Sequence, residues 1–299
     1  MDKTLIVITG PTGSGKTGLS IEVARRLGCE IISADSRQIY RDIPVGTAAP
    51  DEKELAAARH HFVGYLDLEE YYSAAQFEAD VMALLPELFS RSDYAIMCGG
   101  SMMYVDAVVY GIDELPTISD DVRRRAYAIL EREGLEGALR VLDSLDPEYG
   151  AVVDRNNHKR VVHAIEICME AGRPYSSLRT GRRKPRGFRV VKFALDFGRE
   201  ELFDRINRRV ELMVARGLAD EARRVIDRRE LNSLNTVGYK EMFKMLDGEW
   251  DMATAVARMQ KNTRVFAKKQ LTWLKKADDV VWLDPHGNDV AGDVIRRLI

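Results

Sequence analysis

Residues 10–17 read Gly10-Pro11-Thr12-Gly13-Ser14-Gly15-Lys16-Thr17, which satisfies the G-x-x-x-x-G-K-[ST] pattern of a phosphate-binding loop. The glycines let the backbone wrap closely around phosphate oxygens, so that several N–H groups and the positive end of the following helix converge on one anion. Lys16 adds a point charge, and Thr17 can place its hydroxyl on a Mg²⁺ ion that bridges the phosphates. Mg²⁺ is therefore the expected cofactor. Such a loop ordinarily signals ATP or GTP binding, and the motif by itself does not separate a nucleoside triphosphate from another diphosphate.

Two further positions could do chemistry beside that loop. Asp35, in Ala34-Asp35-Ser36-Arg37-Gln38, follows a short apolar run, where reacting groups of an open α/β sheet collect. A bound polyphosphate repels a carboxylate, so one held there points to a base or a Mg²⁺ contact, with a turn former or helix cap as the plainer reading. The apolar run Tyr94-Ala95-Ile96-Met97-Cys98 enters Gly99-Gly100-Ser101 with no acid at its end. A nucleotide-hydrolysing enzyme usually carries a Mg²⁺-holding carboxylate there, and its absence counts against a motor. Ser101 can donate a hydrogen bond into the site or cap the helix that begins at Met102.

The elements that must position these residues alternate over the first hundred positions. Residues 4–9 form a buried-type strand, 16–27 a helix closed by Gly28, 30–34 a second strand, 52–59 and 74–90 helices, and 94–98 a further strand. Strands separated by helices predict an α/β fold, a P-loop NTPase-like doubly wound parallel sheet. After Gly111 the pattern becomes helical, with stretches near 120–133, 135–145 and 156–171. The core domain is thus expected at 1–114 and 186–299, with a small all-helical insertion at 115–185. Strand character returns at 188–195, an Arg-rich helix is expected over 200–229, another over 252–276, and a last strand at 280–283. Along the latter helix Phe266 and Trp273 share a face, which reads as core.

The 299 residues carry 45% hydrophobic and 31% charged side chains and have no apolar run long enough to span a bilayer. The N-terminal apolar run is too short for a signal peptide, so a cytoplasmic protein is expected, working without membrane contact and as a monomer. Cys29, Cys98 and Cys168 are odd in number and widely spaced, which gives neither a disulfide framework nor a zinc site. His60-His61 has no cysteine or acid at metal-ligand spacing and reads as structural. The net charge of -2 hides an asymmetry: residues 1–114 hold 9 Lys and Arg against 18 Asp and Glu, while residues 151–190 hold 10 against 3. A polyanion docking away from the N-terminal part accounts for that separation, as does a solvated basic helical face.

The chain resembles the tRNA dimethylallyltransferases, also called tRNA isopentenyltransferases, over nearly its whole length. The matching residues are Gly10 to Thr17, Ala34-Asp35-Ser36-Arg37-Gln38-Ile39-Tyr40-Arg41, Gly46-Thr47-Ala48, His60-His61 and Tyr72-Ser73-Ala74-Ala75-Gln76-Phe77. They continue with Gly99-Gly100-Ser101-Met102-Met103-Tyr104, Asn157-His158-Lys159-Arg160, Val237-Gly238-Tyr239-Lys240-Glu241, Thr263-Arg264 and Ala267-Lys268-Lys269-Gln270-Leu271-Thr272-Trp273. Asp42-Ile43-Pro44-Val45 departs from the family's usual Gly-Met-Asp-Ile, and Ala49 stands where a lysine is common.

The resemblance implies transfer of a dimethylallyl group from dimethylallyl diphosphate to N6 of the adenosine just 3′ of a tRNA anticodon. Asp35 would then be the base, Lys16 and Arg209 would meet the diphosphate in the loop Gly10 to Thr17, and Ser101 would hold the target base or its surroundings. The tRNA anticodon stem-loop would lie against Asp35, Ser36, Arg37, Gln38 and Ser101 and, in the helical insertion, Arg123, Lys159 and Arg160. The adenosine must leave its stack to reach such a site. Two other readings stay open: an isopentenyltransferase acting on free adenine nucleotides, which needs no basic surface, and a P-loop small-molecule kinase, which needs a further acid for Mg²⁺.

Overall fold

A computed structural model describes residues 3–298. In chain order the elements are β1 (Thr4–Thr9), α1 (Lys16–Leu27), β2 (Ile31–Ser33), α2 (Pro44–Thr47), α3 (Glu52–Ala57), β3 (His60–His61), α4 (Ala74–Arg91), β4 (Tyr94–Gly99) and α5 (Met102–Tyr110). Next come α6 (Asp120–Leu145), α7 (Pro147–Val152) and α8 (His158–Ala171). The chain then forms β5 (Arg189–Leu195), α9 (Arg199–Ala215), α10 (Leu218–Val225), α11 (Tyr239–Leu246), α12 (Met252–Leu274), β6 (Val280–Leu283) and α13 (Val290–Arg296).

Six parallel strands make one sheet in the order β3-β2-β4-β1-β5-β6. The central place of β1 follows from composition: Leu5, Ile6, Val7 and Ile8 are fully buried, as a strand covered on both faces requires. Each such side chain contributes about 1.5–3 kcal/mol on burial. The two-residue β3, at the edge, pairs among the described residues only with β2.

Two compact units result, Met1–Val109 with Pro185–Ile299, and Tyr110–Lys184. The helical unit starts a few residues before the expected 115 because residues 110–114 pair with its far end. The Tyr110 carbonyl accepts from Lys184 N at 2.7 Å, and Asp113 Oδ1 accepts from Thr180 Oγ1 at 2.5 Å. Its core holds Ala126, Leu142, Val161 and Ile165. The buried Asp146 fastens one corner, accepting from Tyr149 N at 3.0 Å and from Ser176 N at 2.6 Å.

Two expectations need correction. The single helix expected over 200–229 is broken, because Gly217 takes φ 92 and turns the chain between α9 and α10. The strand expected at 30–34 is confined to Ile31–Ser33, although Ala34 N still donates to Cys98 O at 2.8 Å and carries the pairing one residue further.

Candidate functional site

In the larger unit β2, β4 and β1 lie side by side, so Asp35, Gly99-Gly100-Ser101 and the phosphate loop leave the sheet from adjacent carboxyl ends. Gly99 is obligatory in this packing: a Cβ there would fall 2.1 Å from the Ala34 carbonyl oxygen. The same carbonyl accepts from Ser101 N at 3.2 Å, which clamps Ala34 and projects the next residue past the sheet.

Asp35 fulfils the turn role and leaves an oxygen over. Its Oδ1 accepts from Arg37 N at 2.9 Å and Gln38 N at 3.3 Å, while Oδ2 makes no hydrogen bond among the described residues. Ser101 does not use its side chain to cap α5. Its Oγ accepts from Ser36 N at 2.9 Å and donates to Ser36 Oγ at 3.3 Å, holding the Asp35 segment. Gln38 completes the turn, donating from Nε2 to Thr47 O at 3.3 Å and Ala48 O at 3.0 Å.

The loop itself has Gly13 at φ 82 and Gly15 at φ 81, left-handed geometry that a side chain strains. Ser14 N donates to Pro11 O and Thr12 N to Gln270 Oε1 at 3.0 Å. The N–H groups of Gly13, Gly15, Lys16 and Thr17 have no partner among the described residues and are available to an anion. Arg205 braces the loop by donating from Nε to Gly13 O at 2.8 Å.

Lys16 and Arg209 stand at the loop as cations without an ion-pair partner among the described residues. Burial pushes the Lys16 ammonium below the ordinary lysine value, opposed by Cys98 and Asp35 and assisted by Arg209. Burial likewise lowers Arg209, against the pull of Asp35 and Glu54, though an arginine stays charged. Its Nη2 donates to Thr47 O at 3.3 Å. Two desolvated cations beside free N–H groups are complementary to a diphosphate.

A cavity of about 610 Å³ joins these parts. Lys16, Thr17 and Arg209 form one wall, Asp35 to Gln38 with Ser101 another, and Asn262, Thr263, Phe266 and Lys269 of α12 a third. A second cavity, of about 810 Å³, shares Lys16, Thr17 and Arg209 and adds Arg205 and Arg208. Phe266 therefore departs from the core reading: it is 44% exposed at the cavity wall. Trp273 instead donates from Nε1 to Asp106 at 2.9 Å.

No group of three metal-ligating side chains occurs among the described residues. Thr17 and Asp35 do share the cavity, with the Thr17 hydroxyl unpartnered among the described residues. One or two oxygen ligands plus substrate phosphates suit Mg²⁺, so this donor set fits it. The histidine pair is used structurally: His60 Nδ1 bonds Ala58 O at 2.8 Å and His61 Nε2 bonds Glu30 at 2.7 Å.

Of the residues singled out in the sequence, Gly10 to Thr17, Asp35, Ser36, Arg37, Gln38, Ser101 and Arg209 belong to the larger unit. Arg123, Lys159 and Arg160 belong to the helical unit. There Arg123 Nε lies 3.7 Å from the Glu166 carboxylate, and Lys159 and Arg160 are exposed in the first turn of α8. Arg205, Arg208 and Gln270 also line these cavities, beyond the residues that sequence alone singles out. The two arginines were visible at i, i+3 and i+4 with Arg209; the glutamine gave no signal except the match around it.

The IPP transferase family matches residues 38–277. A tRNA dimethylallyltransferase of Phocaeicola vulgatus is 52% identical over 285 residues, covering 95% of each chain. One of Bacteroides fragilis is 50% identical over 283 residues, 95% of this chain and 94% of the relative. The solved structure of the full-length tRNA isopentenylpyrophosphate transferase from Bacillus halodurans superposes with a TM-score of 0.70 at 34% identity, covering 99% of this chain and 94% of its own. A eukaryotic dimethylallyltransferase solved acting on tRNA gives 0.84 at 26% identity, covering 99% of this chain and 78% of its own.

Proposed function

This chain belongs to the IPP transferase family, and from that premise we propose how it works as a tRNA dimethylallyltransferase. The dimethylallyl group of dimethylallyl diphosphate passes to the exocyclic N6 of the adenosine 3′-adjacent to a tRNA anticodon. One observation carries the reading: a phosphate cradle at the end of β1 and an unpaired carboxylate oxygen at the end of β2, with β4 between the two strands, open into the same cavity.

In this reading the diphosphate sits on the N–H groups of the loop from Gly10 to Thr17, with Lys16 and Arg209 at its charges. The target adenosine, flipped from its stack, enters beside Asp35 and Ser101. The N6 lone pair is delocalised into the ring, so the amine needs a base as it attacks. Asp35 accepts the N6 proton while the N6–C1 bond forms, and the C1–O bond breaks with its electron pair leaving on diphosphate. Lys16, Arg209 and the loop N–H groups stabilise that developing charge. Thr17 would hold Mg²⁺, which when bound would supply further positive charge for the leaving diphosphate. No water needs to be activated, which accounts for a β4 end without a carboxylate.

The anticodon stem-loop is read by Ser36, Arg37, Gln38 and Ser101 together with Asp35, and gripped at phosphates by Arg123, Lys159 and Arg160. One chain carries the whole constellation, so the proposed active form is a monomer. Among the described residues no helix is long and apolar enough to cross a membrane, and a tRNA substrate goes with work in the cytoplasm.

Labelled dimethylallyl diphosphate with Mg²⁺, offered unmodified tRNA or AMP, tests the proposal. Label is expected in tRNA alone. Label in AMP alone would move the acceptor to a free nucleotide, and label in neither would overturn prenyl transfer.

A further inference from the structure

The transfer proposed above needs two half-sites at a fixed separation: the leaving group on the loop that follows β1, and the base and acceptor at the ends of β2 and β4. Sheet pairing between β1 and β4 stops at Thr9 and Gly99, short of both half-sites. Past that point one side chain spans the gap. Gln270 on α12, 3% exposed, accepts from Thr12 N at 3.0 Å through Oε1 and donates from Nε2 to Gly100 O at 2.8 Å.

We propose that Gln270 is a positioning residue that sets the distance between the phosphate cradle and the acceptor half-site; the proposal rests on the transferase reading. Its neighbours make the link direct. Gly100 precedes Ser101, whose hydroxyl holds Ser36 N, and Ser36 follows Asp35. A primary amide of this length carries a donor and an acceptor on one planar group, which the two backbone groups require. Glutamate has no donor for the carbonyl, asparagine is one methylene shorter, and methionine offers neither bond. Gly100 is matched to the bridge, since a Cβ there would lie 2.4 Å from Nε2.

Each substrate keeps its own contacts when the bridge is lost, so binding survives and alignment fails. A misplacement of about 1 Å costs on the order of a hundredfold in rate. The test is single-turnover transfer with enzyme in excess and both substrates saturating, using wild type, Q270M, Q270E and Gly100→Ala. In the three variants the rate constant is expected to fall about thirtyfold to a hundredfold, while the amplitude stays full. KM for dimethylallyl diphosphate, inhibition by inorganic pyrophosphate and affinity for an anticodon stem-loop should each stay within about threefold. A role confined to folding would lower the amplitude and leave the rate constant, and a role in diphosphate binding would raise KM at an unchanged rate constant; either result overturns the proposal. Wild type that transfers nothing would instead overturn the transferase reading on which it depends.

Discussion

At the scale of single residues, Asp35 has two jobs on two oxygens. Oδ1 closes the turn through Arg37 N and Gln38 N, and Oδ2, unbonded among the described residues, is the oxygen proposed to meet the acceptor amine. Asp35→Asn keeps an acceptor for the turn and removes the base, so it separates the two. Turnover should drop by about a hundredfold or more, in the range of a lost general base, with tRNA affinity nearly unchanged in a gel-shift titration. Turnover near wild type would remove Asp35 from the mechanism. Lys16 makes a second test through pH. Its burial favours the neutral amine, and a bound diphosphate favours the ammonium, so binding is full below the lowered value of the free enzyme and is lost as pH rises through it. Inhibition by inorganic pyrophosphate should therefore weaken, as pH rises, earlier than an ordinary lysine dictates, and K16M should be weak at every pH without that dependence.

At the scale of elements, the four-residue α2 turns out to be part of the site because a buried carboxylate holds it. Glu221 on α10 is fully buried, accepts from Val45 N at 2.9 Å and Gly46 N at 2.7 Å, and takes the hydroxyl proton contact of Tyr239. The far end of α2 offers its Thr47 carbonyl to Arg209 and Gln38. A Cβ on Gly46 would lie 2.4 Å from the Tyr239 hydroxyl, so Gly46→Ala should destabilise the fold by about 1–3 kcal/mol. Urea unfolding measures this, and Tyr239→Phe in the same chain should recover little because the ring remains. The sequence could not announce this arrangement. β1 and α1 were legible because an unbroken apolar run and a glycine-closed amphipathic stretch depend on local chemistry alone. By contrast α2 and β3 are too short for any period, and Glu221 looked like one more charge on an Arg-rich helix. Gln270 meets Thr12 across 258 positions of chain, a pairing no local window contains. The break at Gly217 was readable in principle, since a glycine interrupts the helical pattern there, and the amphipathic residues on both sides masked it.

At the scale of the whole molecule, the near-neutral total hides a division of labour between the two units. The basic stretch of residues 173–184 lies in the helical unit, where two of its arginines lie over tyrosine rings. Arg179 lies 5.3 Å from the Tyr149 ring and 5.5 Å from that of Tyr175, and Arg183 lies 4.2 Å from Tyr110. Stacking on a ring leaves a guanidinium its hydrogen bonds for phosphate and holds it ready. Lys16 and Arg209, the cations proposed for the diphosphate, lie in the other unit. The two substrates should then respond differently to salt and to mutation. Each phosphate contact releases counterions and steepens the fall of tRNA affinity with salt by about 0.7–0.9 on a log–log plot. Replacing Arg179, Arg182 and Arg183 together by glutamine should flatten that slope by about 2 to 3 and weaken tRNA binding at low salt, as fluorescence anisotropy with a labelled tRNA would register. Inhibition by inorganic pyrophosphate should stay as in wild type, because the loop and its cations are untouched. An unchanged slope would mean that these arginines serve only to pack the helical unit, and the polyanion would then have to be held elsewhere.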